Sequence, residues 1–236
     1  MGNRRNRSTE LAIRLVTEGV YTAWEQHATA SLLQLDIKGA FDTVNHTRML
    51  DTLKSQGFPM WVVRWTKSYL TGRTAQLVFD GEESEPVQLK AGVPQGSPLS
   101  PILFILYITS LYEALERHGG LMVVGFADDT NLFVANDDIA TNCKQLEDAY
   151  KVCEDWAKTR GMAFAPQKSE LIHFTKTHAA PQQRVRLGRD EIRPSDEARF
   201  LGVWLDRKLT WKAYLKAVRR KMKIQQFAFI KLVASV

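Results

Sequence analysis

A chain of 236 residues, 44% apolar and 25% charged, can bury a sizeable core and is too hydrophobic for wholesale disorder. Its net charge of +6 and pI near 9.3 favour a polyanionic partner. Two cysteines, Cys143 and Cys153, cannot build a disulfide framework or a cysteine-rich zinc site. No apolar run approaches the length of a membrane span and no signal peptide opens the chain, so a reducing intracellular compartment is expected.

Arg4-Arg5-Asn6-Arg7 forms a basic opening, either a solvated arm or a phosphate-binding loop beside a helix N-terminus. Ser8 is expected to cap a helix whose apolar stripe runs through Leu11, Leu15, Val20 and Trp24. Ser31 to Ile37 has the apolar pattern of a buried strand that emerges at Asp36. Asn45 caps a helix from His46 to Gln56, closed by Gly57, which leaves Asp36 without a capping duty. Trp61 to Leu70 has helical spacing. Ala75 to Phe79 and Val87 to Leu89 flank an acidic hairpin tip. The string Gly92-Val93-Pro94-Gln95-Gly96-Ser97-Pro98 forbids regular structure. It is either a connector or a backbone that approaches a planar substrate closely, and it opens an apolar helix from Leu99 to about Arg117.

Two short apolar runs, Leu121 to Val124 and Leu132 to Ala135, enclose Gly125-Phe126-Ala127-Asp128-Asp129-Thr130, the pattern of a tight hairpin. Beyond it lie an amphipathic helix from Asp138 to Lys158 and a strand from Glu170 to Phe174. A small hairpin turns at Gly188-Arg189-Asp190, and a strand-like run spans Phe200 to Leu205. The last helix, from Trp211 to about Leu232, is basic: Arg207 to Val236 holds nine Lys or Arg and no acid. Trp61, Trp65, Trp156, Trp204 and Trp211 are expected to pack inside. The order of elements suggests an α+β domain with helices on one face of a mainly antiparallel sheet.

Asp128-Asp129 alone reads as an ordinary turn before it reads as a metal site. If the Asp36 strand lies beside the hairpin, however, three carboxylates meet at one sheet edge. Such a cluster holds two Mg²⁺ ions roughly 3.5–4 Å apart, the spacing used to activate a hydroxyl and stabilise a leaving pyrophosphate.

Five segments in order resemble reverse transcriptases of non-LTR (LINE-like) retrotransposons, fungal-type in particular. They are Leu35 to Asp42, Gly92 to Pro101, Gly125 to Thr130, Gly161 to Lys168 and Phe200 to Val203. The resemblance implies a polymerase palm, a right-hand fold with partial fingers over 1–30 and the start of a thumb over 206–236. The palm itself would span 31–205, with fingers insertions over about 43–91. It implies RNA-directed DNA synthesis from dNTPs on an RNA template and a DNA primer or target DNA, with no membrane partner and in the nucleus, the cytoplasm or both.

By the same resemblance, Asp36 and Asp128 bind both Mg²⁺ ions (Mn²⁺ being a substitute), with the Ile37 carbonyl assisting and Asp129 in support. Phe41 excludes a ribose 2′-hydroxyl, Gln95 and Gly96 lie against the templating base and nucleotide, and Lys168 sits near the departing pyrophosphate. Arg4 and Arg7 meet template or triphosphate, and Leu201 and Gly202 belong to a primer grip. Without the motif, Phe41 reads as ordinary core, and Lys168 is also readable as a solvated lysine. The chain is expected to begin within the fingers, with Met1 an internal methionine of a longer frame. A truncated, inactive remnant that only binds nucleic acid is the alternative, and oligomeric state is open.

Overall fold

The computed structural model describes residues 7–234, with side chains placed as far as Phe227. Helix α1 (Thr9–Glu25) begins where the Ser8 side chain accepts a hydrogen bond from the Leu11 amide at 3.1 Å. Its buried face is Ala12, Val16, Thr17, Val20 and Ala23, about one position round from the expected stripe, because the smaller side chains permit close approach to the sheet. Strand β1 (Thr29–Leu35) follows. Then come α2 (His46–Ser55), capped by Asn45 as expected, and α3 (Met60–Leu70).

The acidic hairpin is broken into short pieces: β2 (Thr74–Ala75) pairs with β5 (Val87–Gln88), and β3 (Val78–Phe79) with β4 (Glu82–Glu83). Helix α4 (Ser100–His118) leads to the hairpin of β6 (Met122–Phe126) and β7 (Asp129–Asn136), and α5 (Ile139–Arg160) ends at the left-handed Gly161. The remainder is β8 (Glu170–Phe174), β9 (Val185–Leu187), β10 (Asp190–Ile192), β11 (Glu197–Phe200), β12 (Val203–Asp206) and α6 (Lys212–Ala234). The run from Phe200 to Leu205 is therefore a hairpin rather than one strand. Leu201 (φ 47°) and Gly202 (φ 89°) both adopt the left-handed conformation that a two-residue turn demands.

The central sheet is antiparallel, in the order β6-β7-β1-β8. Alternation along β1 sends Leu33 and Leu35 into a core with α4 and α5, and Ala30 and Leu32 into a second core with α1 and the β11–β12 hairpin. Helices thus cover both faces, not one as expected, which explains why β1 reads as a continuous apolar run. Trp156 is buried and Trp204 and Trp211 are half-buried, but Trp61 and Trp65 are 71% and 53% exposed. Those two do not pack the interior, since α3 turns Val63, Thr66 and Leu70 inward. Cys143 and Cys153 are separate buried thiols, and desolvation pushes their pKa values up to about 11 and about 12.

A buried polar node crosses this apolar interior. Asn142 Nδ2 donates to Ser31 Oγ (2.9 Å) and to the Thr29 carbonyl (2.7 Å), and Asn136 Nδ2 donates to Asn142 Oδ1 (2.8 Å). Ser31 Oγ in turn donates to His173 Nδ1 at 2.7 Å, leaving His173 Nε2–H to donate to the Gln183 carbonyl at 3.0 Å. Desolvation lowers the His173 pKa from its ordinary 6.5, although the Gln183 bond opposes the shift. The unfolded chain therefore takes up a proton that the fold refuses, and this contribution to stability falls as pH drops below about 6.5. Urea midpoints measured between about pH 7.5 and 5 should show that decline, and His173→Gln should flatten it.

Candidate active site

The register Leu35↔Thr130 between β1 and β7 puts Asp36, one residue past the strand, beside the β6–β7 turn. That turn is Ala127-Asp128, between the paired Phe126 and Asp129. Ala127 takes φ 53°, a left-handed strain of roughly 1 kcal/mol for a residue with a Cβ, and the turn so formed presents Asp128. Gly125 is required by space: a Cβ there would collide with the Tyr112 ring and hydroxyl, which pack over the hairpin from α4. Desolvation, with smaller contributions from the Asp129 and Asp128 charges, pushes Tyr112 up to about 12 and keeps it neutral.

Past β1 the chain keeps an informal pairing. Lys38 N–H donates to the Ala163 carbonyl (2.8 Å), and Ala165 N–H donates to the Asp36 carbonyl (2.9 Å). A 3₁₀ turn over Pro166–Lys168 follows and carries Lys168 over the carboxylate. Lys168 Nζ lies 3.1 Å from Asp36 Oδ2, a charge contact without hydrogen-bond alignment, so that buried oxygen has no hydrogen-bond donor. The Lys168 side chain is 70% exposed, and an ion pair this wet contributes under about 1 kcal/mol.

The glycine-proline loop docks on the turn after Asp36. Val93 N–H donates to the Phe41 carbonyl (2.8 Å), Gly92 N–H to the Val44 carbonyl (2.9 Å), and His46 Nε2 bonds the Gly92 carbonyl (2.8 Å). A Cβ on Gly92 would stand 2.9 Å from the Asp42 carbonyl oxygen, so only glycine lets the two segments meet. Gln95 Nε2 then donates to Asp42 Oδ1 at 2.9 Å, and Tyr69 Oη donates to Ser97 Oγ at 2.7 Å. Phe41 is half-buried and stacks on Phe104 with ring centroids 5.2 Å apart.

These segments enclose a cleft of about 670 Å³ lined by Asp36, Ile37, Phe41, Asp42, Gln95, Gly96, Asp128 and Lys168, among others. A larger concavity, about 830 Å³, runs along α6 from Lys212 to Phe227 and shares no residue with it. Seven of the expected site residues thus share one cleft: Asp36, Ile37, Phe41, Gln95, Gly96, Asp128 and Lys168. Asp129 does not line it. Its pKa is raised by desolvation and then by the charges of Asp128 and Asp36. Arg7 lies at the exposed start of α1, Leu201 and Gly202 form the β11–β12 turn, and Arg4 falls outside the described residues.

Among the described residues, no three His, Cys, Asp or Glu side chains form a ready metal-ligand group. The cleft nevertheless fits a hard divalent cation: its donors are oxygen, it contains no His or Cys, and Asp36 Oδ2 is buried without a donor. Two residues escaped the sequence reading, Asp42, which fixes Gln95, and Tyr112, which backs the carboxylate turn. The signal for Asp42 was its place in the same short segment as Asp36, whereas Tyr112 carried none.

An antiparallel sheet in which the β6–β7 hairpin carries a carboxylate to a cleft beside a second carboxylate at the end of β1 is a polymerase palm. The family model described as reverse transcriptase (RNA-dependent DNA polymerase) matches residues 1–205, and the chain belongs to that family. The probable RNA-directed DNA polymerase from transposon X-element of Drosophila melanogaster is 30% identical over 226 residues, covering 94% of this chain. The RNA-directed DNA polymerase from mobile element jockey of the same organism is 28% identical over 229 residues, again covering 94% of this chain. This chain spans 24% of the length of each.

In fold, it is similar to apo telomerase from Candida tropicalis truncated from the C-terminal domain. The TM-score is 0.60 at 17% identity, over 88% of this chain and 40% of that one. The expectation of a non-LTR retrotransposon reverse transcriptase is met by the family and the transposon relatives; none of them bears on the fungal-type affiliation.

Crowding at Gly125 yields a direct expectation. Gly125→Ala should cost roughly 1–3 kcal/mol by overpacking against Tyr112. In a Tyr112→Ala background the same substitution should cost clearly less, a non-additivity that a double-mutant cycle in urea unfolding measures.

Proposed function

We propose that this chain is the catalytic palm of an RNA-directed DNA polymerase, adding dNTPs to a DNA 3′ end, on a primer or target DNA, along an RNA template. The observation that carries the reading is the cleft shared by Asp36, Asp128, Phe41, Gln95 and Lys168 in a chain of the reverse transcriptase family. Asp36 and Asp128, with the Ile37 carbonyl, would hold two Mg²⁺ ions, or Mn²⁺ in their place, and Asp129 would support them. When bound, such a pair activates the attacking hydroxyl and stabilises the leaving pyrophosphate.

The protein's own groups do the rest. Phe41, braced on Phe104, presses beneath the incoming sugar, where a 2′-hydroxyl would clash. Gln95, held by Asp42, and Gly96 lie against the templating base and nucleotide. Lys168, exposed and loosely tied to Asp36, offers charge or a proton to the departing pyrophosphate.

Residues 1–30 are read as partial fingers, with Arg4 and Arg7 toward template or triphosphate. Residues 31–205 are the palm, with fingers insertions at about 43–91 and Leu201-Gly202 as primer grip. Residues 206–236 begin a thumb whose basic helix tracks a nucleic-acid backbone. Nucleus, cytoplasm or both would be the working compartment; among the described residues no helix is long and apolar enough to cross a membrane.

Primer extension on an RNA template tests the reading: Asp128→Asn should lose at least about a hundredfold, given the several kcal/mol that metal-assisted charge stabilisation supplies. Equal rates in the two proteins would overturn it. Phe41→Ala should relax sugar selection by roughly tenfold or more, measured as the ratio of kcat/KM for dNTP and rNTP.

A further inference from the structure

Helix α3 is built inside out for its largest side chains. Its buried face is Val63, Thr66 and Leu70, while Trp61 and Trp65 face solvent, 71% and 53% exposed. Large aromatic rings left outside in a row mark a contact surface rather than a folding requirement. These two stand four residues apart, and Tyr69 and Arg73 continue the same spacing. Each step climbs about 6 Å along a helix, comparable to one nucleotide of an extended strand.

The row is already stacked where it can be. The Trp65 and Tyr69 rings lie within 8° of parallel with centroids 5.7 Å apart, and the Arg73 guanidinium lies 5.8 Å over the Tyr69 ring. At its far end the row joins the cleft, because Tyr69 Oη donates to Ser97 Oγ in the wall beside Gln95 and Gly96.

Charge selects the occupant. From Ser55 to Phe79 the chain contains Arg64, Lys67 and Arg73 and no Asp or Glu, whereas Lys54 just before it is paired with Asp51. Arg64 and Lys67 are exposed on the helix that carries the tryptophans. Aromatic rings interleaved with cations are the surface that holds a single-stranded nucleic acid, the rings stacking on bases and the cations meeting phosphates. A docked protein segment would use the rings equally well but would leave an unopposed run of positive charge.

We propose that the α3 face bearing Trp61, Trp65 and Tyr69 is a stacking platform for single-stranded template as it approaches the cleft. This inference rests on the polymerase reading for its direction, toward Gln95 and Gly96, but not for the binding itself. Unpaired bases stack on the open faces of Trp61 and Trp65, with Tyr69 backing Trp65, and the platform is indifferent to sequence because every base offers a face.

The test compares an RNA–DNA duplex carrying a 5′ single-stranded RNA extension with a blunt duplex of the same length. Affinity is measured by anisotropy on the 236-residue chain. The extension should tighten binding and quench tryptophan fluorescence. Trp61→Ala and Trp65→Ala should each weaken the extended duplex by roughly tenfold, leave the blunt duplex unchanged, and be rescued in good part by Phe. Arg64→Gln with Lys67→Gln should lower the salt slope for the extended duplex by roughly 0.7 per charge. Thermal melts should match the parent, since both rings are exposed; the Phe variants and the quenching carry the test if an Ala variant melts early.

Equal affinity for both duplexes, or Ala variants that bind the extended duplex as the parent does, would overturn the platform while leaving primer extension untouched. Extension-dependent binding that follows the tryptophans, in a parent with no synthesis, would support the platform and sink the polymerase reading instead.

Discussion

A strand buried on both faces has little in its own pattern to set its register, and β1 is such a strand. Sliding it by one residue would exchange Leu33 and Leu35 for Ala30, Leu32 and Gln34, one largely apolar set for another. What forbids the slide is Ser31. It accepts from Asn142 and donates to His173, so it ties β1 to α5 and β8, and Asn136 extends the same node to β7. Each buried polar group left without its partner costs about 1–3 kcal/mol, and a slip would strand several together. The node therefore holds the register, and the register decides where Asp36 emerges.

Once that is settled, the carboxylates have no freedom to separate. Asp36 leaves β1 opposite the hairpin end, and the two-residue turn holds Asp128 there at the expense of left-handed strain at Ala127. Desolvation and then repulsion from Asp128 and Asp36 raise the pKa of Asp129, yet partly solvated charges repel by an amount small beside the packing of two cores. The fold wins, and the site inherits a local excess of negative charge. One exposed lysine offsets it weakly, which leaves both that lysine and Asp36 Oδ2 available to ligands.

Much of this was legible in the sequence because its signals are local. Ser8 and Asn45 announced helix starts by capping chemistry, and the hairpin at Asp128 announced itself by two apolar runs around a turn. The gathering of Asp36, Phe41, Gln95 and Lys168 came from motif order rather than from any single residue. What stayed hidden is non-local. Ser31 lies more than a hundred residues of chain from both Asn142 and His173, and all three look ordinary one by one. The bond from Gln95 to Asp42 and the contact of Tyr112 with Gly125 likewise exist only after the loops dock. The expectation that Trp61 and Trp65 pack inside failed because helical spacing locates a face without saying which face is inward.

That last failure bears on how the surface divides its work. A helix can bury either its bulky residues or its small ones, and α3 buries Val63, Thr66 and Leu70, which allow it to lie close against α2. Turning Trp61 inward instead would bury more apolar area, at about 25 cal/mol per Å², but would push the two helices apart and open the wall that Tyr69 and Ser97 share. The close packing that keeps the cleft wall rigid is thus the same packing that leaves the tryptophans outside. An acidic cleft and a basic, aromatic approach to it follow from one choice of which residues fill the core.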